Sequence, residues 1–188
     1  LRDMAYFMRG EETGVQYDMD TVPGLAQAQQ WARKHQCGVL IGSLFVTVEG
    51  THKWANRSVL IDAQGEVVTH YDKIHLFDVN FGDGESYRES DRITHGDCAQ
   101  LALVPFGVLG MSVCYDVRFP HLFRDLASSG ATALAIPAAF AKRTGEAHWH
   151  VLLRACVIIA EINPQLVTRI REQLPSLQHS RDYSLKTF

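Results

Sequence analysis

The sequence predicts a single α/β domain built from layers of strands and helices. Residues 25–35 carry apolar side chains at helical spacing, whereas 39–48 form a β-branched run and 108–113 an apolar run, both typical of strands. Strands alternate with helices along the chain, which favours an α/β layered fold. The 188 residues suffice for one domain with a hydrophobic core. No repeat or Pro/Gly/Ser linker divides the chain, so we assign 1–175 to one domain and 176–188 to a polar, extended C-terminal tail.

The first half of the chain contains one predicted helix and three predicted strands. The helix follows Pro23-Gly24 and repeats its apolar residues every three or four positions. The last two strands flank Ala63-Gln64-Gly65, a turn sequence that predicts a hairpin. These elements are a helix over Leu25–His35, a strand over Val39–Val48, and hairpin strands over Arg57–Asp62 and Glu66–Tyr71.

The second half repeats the alternation of strands and helices. An apolar strand ends at Cys114, and the next helix has proline at its first position and ends at Gly130. The last predicted helix begins at Asn163-Pro164, an N-cap followed by a first-turn proline. These elements are a strand over Val108–Val113, a helix over His121–Ser129 after Pro120, a strand over Thr132–Ile136, and helices over about Glu146–Cys156 and Gln165–Leu174.

The composition excludes several classes of protein. Hydrophobic residues make up 46% and charged residues 21% of the chain, which argues against disorder. Eighteen Lys and Arg against 21 Asp and Glu give a net charge of −3 without a basic stripe, so no nucleic-acid partner is expected. No run of about 18 apolar residues could span a membrane, and the first four residues lack the pattern of a signal peptide. The four cysteines are widely spaced, which is typical of thiols in a reducing compartment and predicts a cytoplasmic location.

The most informative segment is 107–120, which places one cysteine at the end of a buried strand. A sharp turn into a helix follows Cys114, and α/β folds place ligands and nucleophiles at such a turn. This geometry exposes the sulfur and lets the next backbone N–H face an oxyanion. Position alone leaves two interpretations open, a nucleophile and a buried structural cysteine.

Lys73 alternates with apolar neighbours within Tyr71–Val79, at the end of a predicted strand. A half-buried ammonium beside a thiol would favour the thiolate and stabilise a developing negative charge. The alternative is a surface lysine that pairs with Asp72 or Asp78. A Gly-rich loop with carboxylates follows at Glu85–Ser90, and on its own it is typical of a solvated loop.

Together and in this order, these motifs closely resemble the nitrilase superfamily of carbon–nitrogen hydrolases. The resemblance implies a four-layer αββα sandwich that pairs into dimers or higher homo-oligomers. It also implies hydrolysis of a small-molecule amide or nitrile by a Glu–Lys–Cys triad, through a thioester and without a cofactor. Within the superfamily, the motifs are similar to those of amidases that act on deaminated glutathione or on ω-amides of keto acids. The matching stretches are YDKIHLFDV (71–79), SYRESD (86–91), GVLGMSVCYDVRFP (107–120) and IPAAFAKRTGEAHWHVLLRA (136–155).

The resemblance assigns roles to individual residues. Cys114 would be the nucleophile, and Lys73 would stabilise the tetrahedral oxyanion together with the Tyr115 backbone N–H. One such donor is typically worth about 2.7–4 kcal/mol of barrier. Glu89 matches a second glutamate of the superfamily that orients the lysine and helps to transfer protons, with Glu85 as the reserve candidate.

The substrate-binding residues implied by the resemblance lie close to the nucleophile in sequence or in the next loop. Tyr115, Ala139 and Phe140 would contact the acyl group. Arg118 would either anchor a substrate carboxylate or hold the turn, and we favour the structural role.

The chain departs from the superfamily's pattern at two places. The general-base glutamate should fall near Arg2 or Asp3, but neither is a glutamate, so Asp3, Glu11 or Glu12 would have to replace it. The segment 157–164 already resembles the last strand and C-terminal helix, so a pair of strands expected before it is absent. We therefore expect a sandwich that is incomplete at the N-terminus and between about 157 and 162.

Two other functions are compatible with parts of the sequence. A degenerate, weakly active or inactive member could act as a dimeric binding module, as the missing glutamate suggests. A metal hydrolase would use His148, His150 and either Cys156 or His75. However, two histidines spaced i, i+2 on a helix point to different faces, which is poor chelating geometry, so no metal is expected.

Overall fold

The computed structural model describes residues 17–82, 84, 86–140, 142–153, 179 and 181–186. None of the helices within these residues is long and apolar enough to cross a membrane. Short 3-10 turns cover Glu89–Asp91 and Cys114–Arg118. The helices and strands are α1 (Leu25–His35), β1 (Val39–Thr47), β2 (Trp54–Ile61), β3 (Val67–Asp72), β4 (Asp78–Asn80), β5 (Ser86–Arg88), β6 (Ile93–Thr94), β7 (Cys98–Val104), β8 (Gly107–Met111), α2 (Pro120–Ser128), β9 (Ala133–Ala135), α3 (Lys142–Leu153) and β10 (Ser184–Lys186).

The first sheet is an antiparallel meander of β1, β2 and β3, and β6 pairs in parallel with the start of β2. Both faces of β2 are buried, because its side chains alternate between two apolar cores. Val59 and Ile61 pack with α1, whereas Leu60 between them faces the second sheet. The hairpin sequence therefore forms the centre of the first sheet and supplies one layer of the sandwich.

The second sheet has the order β10-β7-β8-β9. The strands β7 and β8 are antiparallel, while β10 and β9 flank them in parallel. Helix α2 packs against β7 and β8 through Leu122 and Leu126, which are completely buried. Strand β8 runs directly toward the turn at Cys114, so this packing fixes the position of that turn.

The two sheets face each other across a shared apolar core. Tyr71 of β3 belongs to the same buried cluster as Leu101 of β7 and Met111 of β8, and β3 contacts β7 directly. With α1 on the outer side of one sheet and α2 on the other, the layer order is α1, first sheet, second sheet, α2. This arrangement confirms the αββα sandwich that the sequence motifs imply.

The predicted elements differ from the structure mainly where pairing between segments distant in sequence determines whether a segment forms a strand. Helix α1 has the predicted bounds, α2 begins one residue earlier, and α3 begins at Lys142 instead of Glu146. Strand β7 was not predicted. Within the predicted tail, Ser184–Lys186 pair with β7 and so belong to the sheet. The predicted helix over Gln165–Leu174 lies outside the described residues.

Candidate active site

Cys114 is the first residue of the 3-10 turn that follows β8. Its backbone is left-handed, with φ of 51°, a region that residues other than glycine rarely adopt. The Cys114 N–H donates to the carbonyl oxygen of Pro137 over 2.9 Å, and the Ala139 backbone N–H donates to the sulfur. The strained turn is thus fixed by the loop after β9, and a nucleophile held this way is typical of catalytic strand-to-helix turns.

Lys73 directly follows β3 and is buried, with 3% of its surface exposed. Its backbone N–H donates to the carbonyl oxygen of Asn56 over 2.9 Å, and its own carbonyl accepts from the Gly96 N–H over 2.9 Å. The side chain ends in an ion pair, with Nζ 2.6 Å from Oε2 of Glu89. Lys73 is therefore a buried, paired lysine, and the interpretation as a surface lysine is wrong.

Glu89 begins the 3-10 turn after β5 and accepts hydrogen bonds from three donors. Oε2 accepts from Lys73 Nζ and, over 2.7 Å, from the Phe77 N–H, while Oε1 accepts from Asn56 Nδ2 over 3.0 Å. A carboxylate that is held by three donors is fixed in position and keeps the lysine ammonium in place. Asn56 is buried and lines the same cavity, and the sequence analysis missed it because it lies 33 residues from Glu89.

The charges of this cluster change the pKa of both Lys73 and Cys114. Burial alone would lower the pKa of Lys73, but attraction to Glu89 and to Cys114 outweighs it, so the pKa is raised above the ordinary 10.5. Burial raises the pKa of the Cys114 thiol above its ordinary 9.0, although Lys73 and the Ala139 N–H lower it. Lys73 thus acts on the pKa of Cys114 in the expected direction, but burial outweighs it and the net shift is upward.

The candidate site is a cavity of about 1060 Å³ between the ends of the two sheets. Its lining includes Cys114, Lys73, Glu89, Tyr115, Ala139 and Phe140, the six residues to which the resemblance gives a role in catalysis or acyl contact. The other acidic candidates, Asp3, Glu11, Glu12 and Glu85, lie outside the described residues. The structure therefore places the nucleophile, lysine, second glutamate and acyl-contact candidates around one space.

Arg118 lies beside the cavity and contacts side chains. Its Nη2 lies 3.1 Å from Nδ1 of His148 on α3, and its guanidinium lies 5.8 Å and 5.5 Å from the ring centres of Tyr115 and Phe140. Burial lowers the pKa of Arg118, and burial followed by the Arg118 charge lowers the pKa of His148. These contacts favour the structural role for Arg118, because it ties α3 to the turn that begins at Cys114.

Two of the three histidines considered as metal ligands have other partners. His148 contacts Arg118, and Nδ1 of His75 lies 2.8 Å from Oδ1 of Asp116. Cys156 lies outside the described residues. Across the described ranges, no group of three or more His, Cys, Asp or Glu side chains is arranged to hold a metal ion.

This chain is similar in sequence to a family of carbon–nitrogen hydrolases and to amidases. The carbon–nitrogen hydrolase family matches residues 15–162. A deaminated glutathione amidase of Yersinia enterocolitica is 44% identical over 142 residues, covering 71% of this chain and 50% of that protein. The omega-amidase of Saccharomyces cerevisiae is 32% identical over 148 residues, covering 78% of this chain and 50% of that protein. The chain thus spans about half the length of these two curated relatives.

A second deaminated glutathione amidase, from Synechocystis sp., is 35% identical over 199 positions, covering 80% of this chain and 73% of that protein. Since 80% of the chain is about 150 residues, about 49 of these positions have no counterpart within the matched part of this chain. Unmatched positions of this number are enough for a pair of strands of ordinary length.

Solved structures show the same fold. The C. elegans NitFhit protein has a TM-score of 0.65 and 35% identity, covering 71% of this chain and 33% of that chain. An amidase from Nesterenkonia sp. has a TM-score of 0.54 and 25% identity, covering 66% of this chain and 44% of that chain. A variant of that amidase carries the acetamide moiety of fluoroacetamide, covalently added at the active-site cysteine. The family match over residues 15–162 and the shared fold show that this chain belongs to the carbon–nitrogen hydrolase family, within the nitrilase superfamily.

Proposed function

We propose that this chain is a cysteine-dependent amidase that hydrolyses the amide of a small carboxylic acid and releases ammonia. The observation that carries the proposal is the buried Lys73–Glu89 pair in the same cavity as Cys114. The names of the relatives, deaminated glutathione amidase and omega-amidase, support this substrate class. The acetamide adduct at the cysteine of the Nesterenkonia amidase supports a covalent route.

The first half of the reaction forms a thioester. The Cys114 sulfur attacks the amide carbonyl carbon while the thiol proton passes to a general base, and the carbonyl oxygen becomes an oxyanion. Lys73 and the Tyr115 N–H stabilise that oxyanion. The C–N bond then breaks, the base returns its proton to the departing nitrogen, and ammonia leaves.

The second half of the reaction consumes one water. The water attacks the thioester carbonyl and gives its proton to the same base, again through an oxyanion beside Lys73. The C–S bond breaks, the sulfur of Cys114 regains a proton, and the carboxylic acid leaves. One amide and one water thus give one acid and one ammonia.

The general base is the part of this mechanism that the described residues do not supply. The raised pKa of Cys114 requires a proton acceptor at the moment of attack. The hydrogen bonds of Glu89 support a holding role, because both of its oxygens already accept from donors. We propose one of Asp3, Glu11 and Glu12 as the base.

Two further parts of the proposal concern the assembly and location of the protein. The superfamily resemblance supports a homodimer, and the spacing of the cysteines supports a cytoplasmic location. Sedimentation at several protein concentrations tests the dimer, and a species of monomer mass throughout would contradict it.

The test of the function is ammonia release from a panel of ω-amides and deaminated glutathione. Cys114→Ala should abolish release, whereas Cys37→Ala and Cys98→Ala should leave it unchanged, because those partly buried thiols are outside the cavity. Equal loss in all three variants would indicate lost stability in place of lost chemistry. A folded wild type that releases no ammonia would favour the degenerate binding module.

A further inference from the structure

Asp116 is completely buried two residues after Cys114, and it does not line the cavity. Its carboxylate is the centre of four hydrogen bonds among the described residues. Oδ2 accepts from the Tyr71 hydroxyl over 2.8 Å and from the Val113 N–H over 2.9 Å. Oδ1 accepts from the His75 N–H over 3.1 Å and from His75 Nδ1 over 2.8 Å. All four partners donate, which is the arrangement that suits a carboxylate.

The residues that donate to Asp116 are close in sequence to Lys73 and to Cys114, the two candidate catalytic side chains. Tyr71 and His75 lie two residues before and two residues after Lys73, and Val113 directly precedes Cys114. One buried carboxylate therefore holds the chain on both sides of Lys73 and, at the same time, the start of the turn that carries Cys114. Lys73 follows the first sheet and Cys114 the second, so Asp116 connects the two sheets at the site.

A ring contact and the raised pKa of Tyr71 strengthen this connection. The ring of His75 stacks on Phe119 with ring centres 3.6 Å apart and planes 8° from parallel, directly before α2. Burial and the Asp116 charge raise the pKa of Tyr71 well above its ordinary value, so its hydroxyl remains a donor. Hydrogen bonds to a charged group in a low-dielectric interior are strong, and losing one leaves a buried polar atom unpaired.

We propose that Asp116 is a positioning residue that sets the separation between the Lys73 ammonium and the Cys114 thiol from behind the cavity. Its effect on turnover rests on the proposed function, but the separation itself can be tested without turnover. Asp116 does not line the cavity, so its positional effect passes through Tyr71, His75 and Val113. Its negative charge also raises the pKa of Lys73 and of Cys114 directly, and Tyr71→Phe keeps that charge while it removes one of the positioning hydrogen bonds.

The first experiment measures how strongly Lys73 acts on Cys114. The rate of Cys114 alkylation by iodoacetamide is measured by mass spectrometry as a function of pH. The midpoint of this profile gives the pKa of the Cys114 thiol. Lys73→Met should raise this midpoint, because a positive neighbour is lost and Glu89 is left unpaired. In a Tyr71→Phe background the same substitution should produce a smaller shift, because Lys73 is no longer held at its wild-type distance.

The matched control is Tyr183→Phe. Tyr183 also donates its hydroxyl to an aspartate, Asp125 on α2, and neither residue lines the cavity. In this background Lys73→Met should produce the full wild-type shift. If Tyr71 has a purely structural role, Lys73→Met should shift the alkylation midpoint equally in the Tyr71→Phe and Tyr183→Phe backgrounds. That result would overturn the inference.

The second experiment follows turnover in folded variants. Asp116→Asn places an amide NH₂ group against donors, and Tyr71→Phe is the milder variant if Asp116→Asn does not fold. We expect kcat to fall by on the order of 100-fold for Asp116→Asn, since a 1 Å misplacement has an effect of that size, with KM little changed. An unchanged kcat in the folded variant would overturn the proposal. If the wild type releases no ammonia, the proposed function alone fails, and the alkylation experiment still decides this inference.

Discussion

Lys73 Nζ and Glu89 Oε2 lie 2.6 Å apart, with only 4% of the lysine side chain and 16% of the glutamate side chain exposed. Removing one partner of a buried ion pair leaves an uncompensated charge and typically costs about 3–5 kcal/mol. The exposed pair of Lys142 and Glu146, 3.8 Å apart on α3, should contribute far less. This contrast provides a matched control for the first two predictions.

Replacing Glu89 with glutamine should move the alkaline limb of the pH–rate profile to lower pH. Burial lowers the pKa of Lys73, and Glu89 is the main charge that opposes it, so the lysine should lose its proton at a lower pH in Glu89→Gln. Ammonia release measured against pH checks this shift. Glu146→Gln should keep the wild-type profile, and an unmoved alkaline limb in Glu89→Gln would count against the pairing.

The Lys73–Glu89 pair should make stability depend on pH in the alkaline range. The folded-state pKa of Lys73 is raised, so its stabilising contribution is fully present below the ordinary value of 10.5 and is lost as the pH rises through the folded value. Urea unfolding of the wild type and of Lys73→Met should give a difference in unfolding free energy that shrinks above pH 10.5. A difference that stays constant there, or one equally large for Lys142→Met, contradicts the prediction.

Asn56 should matter for activity through the Glu89 carboxylate that it holds. Asn56→Ala removes one of three donors to Glu89 and should reduce kcat about tenfold, since a net hydrogen bond to a charged group is worth roughly 1.5–3 kcal/mol. Asn56→Asp places a second carboxylate against Glu89 and should reduce kcat further. Measuring kcat for both variants, with the exposed Asn80→Ala as control, tests whether Asn56→Asp is the more damaging change. Equal values of kcat for the two variants would rule out a contribution from charge repulsion with Glu89.

Gly96 should be intolerant of any side chain because it holds the backbone at Lys73. A Cβ there would lie 2.2 Å from the backbone oxygen of Asp72, so Gly96→Ala must displace the end of β3. We expect a loss of about 1–3 kcal/mol in unfolding free energy, typical of overpacking, together with reduced kcat. At Gly38 the new Cβ would make an ordinary 3.4 Å contact with Ile61, so Gly38→Ala should change neither quantity appreciably. Thermal unfolding and ammonia release of both variants test the contrast.

Much of the fold and the site was predictable because the signals were local or carried by specific motifs. The bounds of α1 follow from its apolar spacing, and Pro120 at the first position marks the start of α2. Cys114, Lys73 and Glu89 were identified from motifs that resemble the nitrilase superfamily, and the structure brings them to one cavity.

The missed features depend on partners that are distant in sequence. Strand β7 is buried through pairing with both β8 and β10, and β10 lies 86 residues away. In the sequence, Asn56 and Asp116 are not distinguishable from other polar residues. Only the fold brings Asn56 to Glu89 and Asp116 to Tyr71. The sequence analysis also missed the raised pKa of Cys114. Its main cause is burial, and sequence motifs do not show how deeply a side chain is packed.

The left-handed backbone of Cys114 has a consequence for the folding stability of this turn. A residue with a Cβ in this region costs roughly 1–2 kcal/mol, and glycine does not bear that cost. Replacing Cys114 with glycine would relieve this backbone cost, but it would also remove a side chain that packs against the core between the sheets. The backbone conformation that places the sulfur at the cavity therefore has a cost in folding stability at this residue.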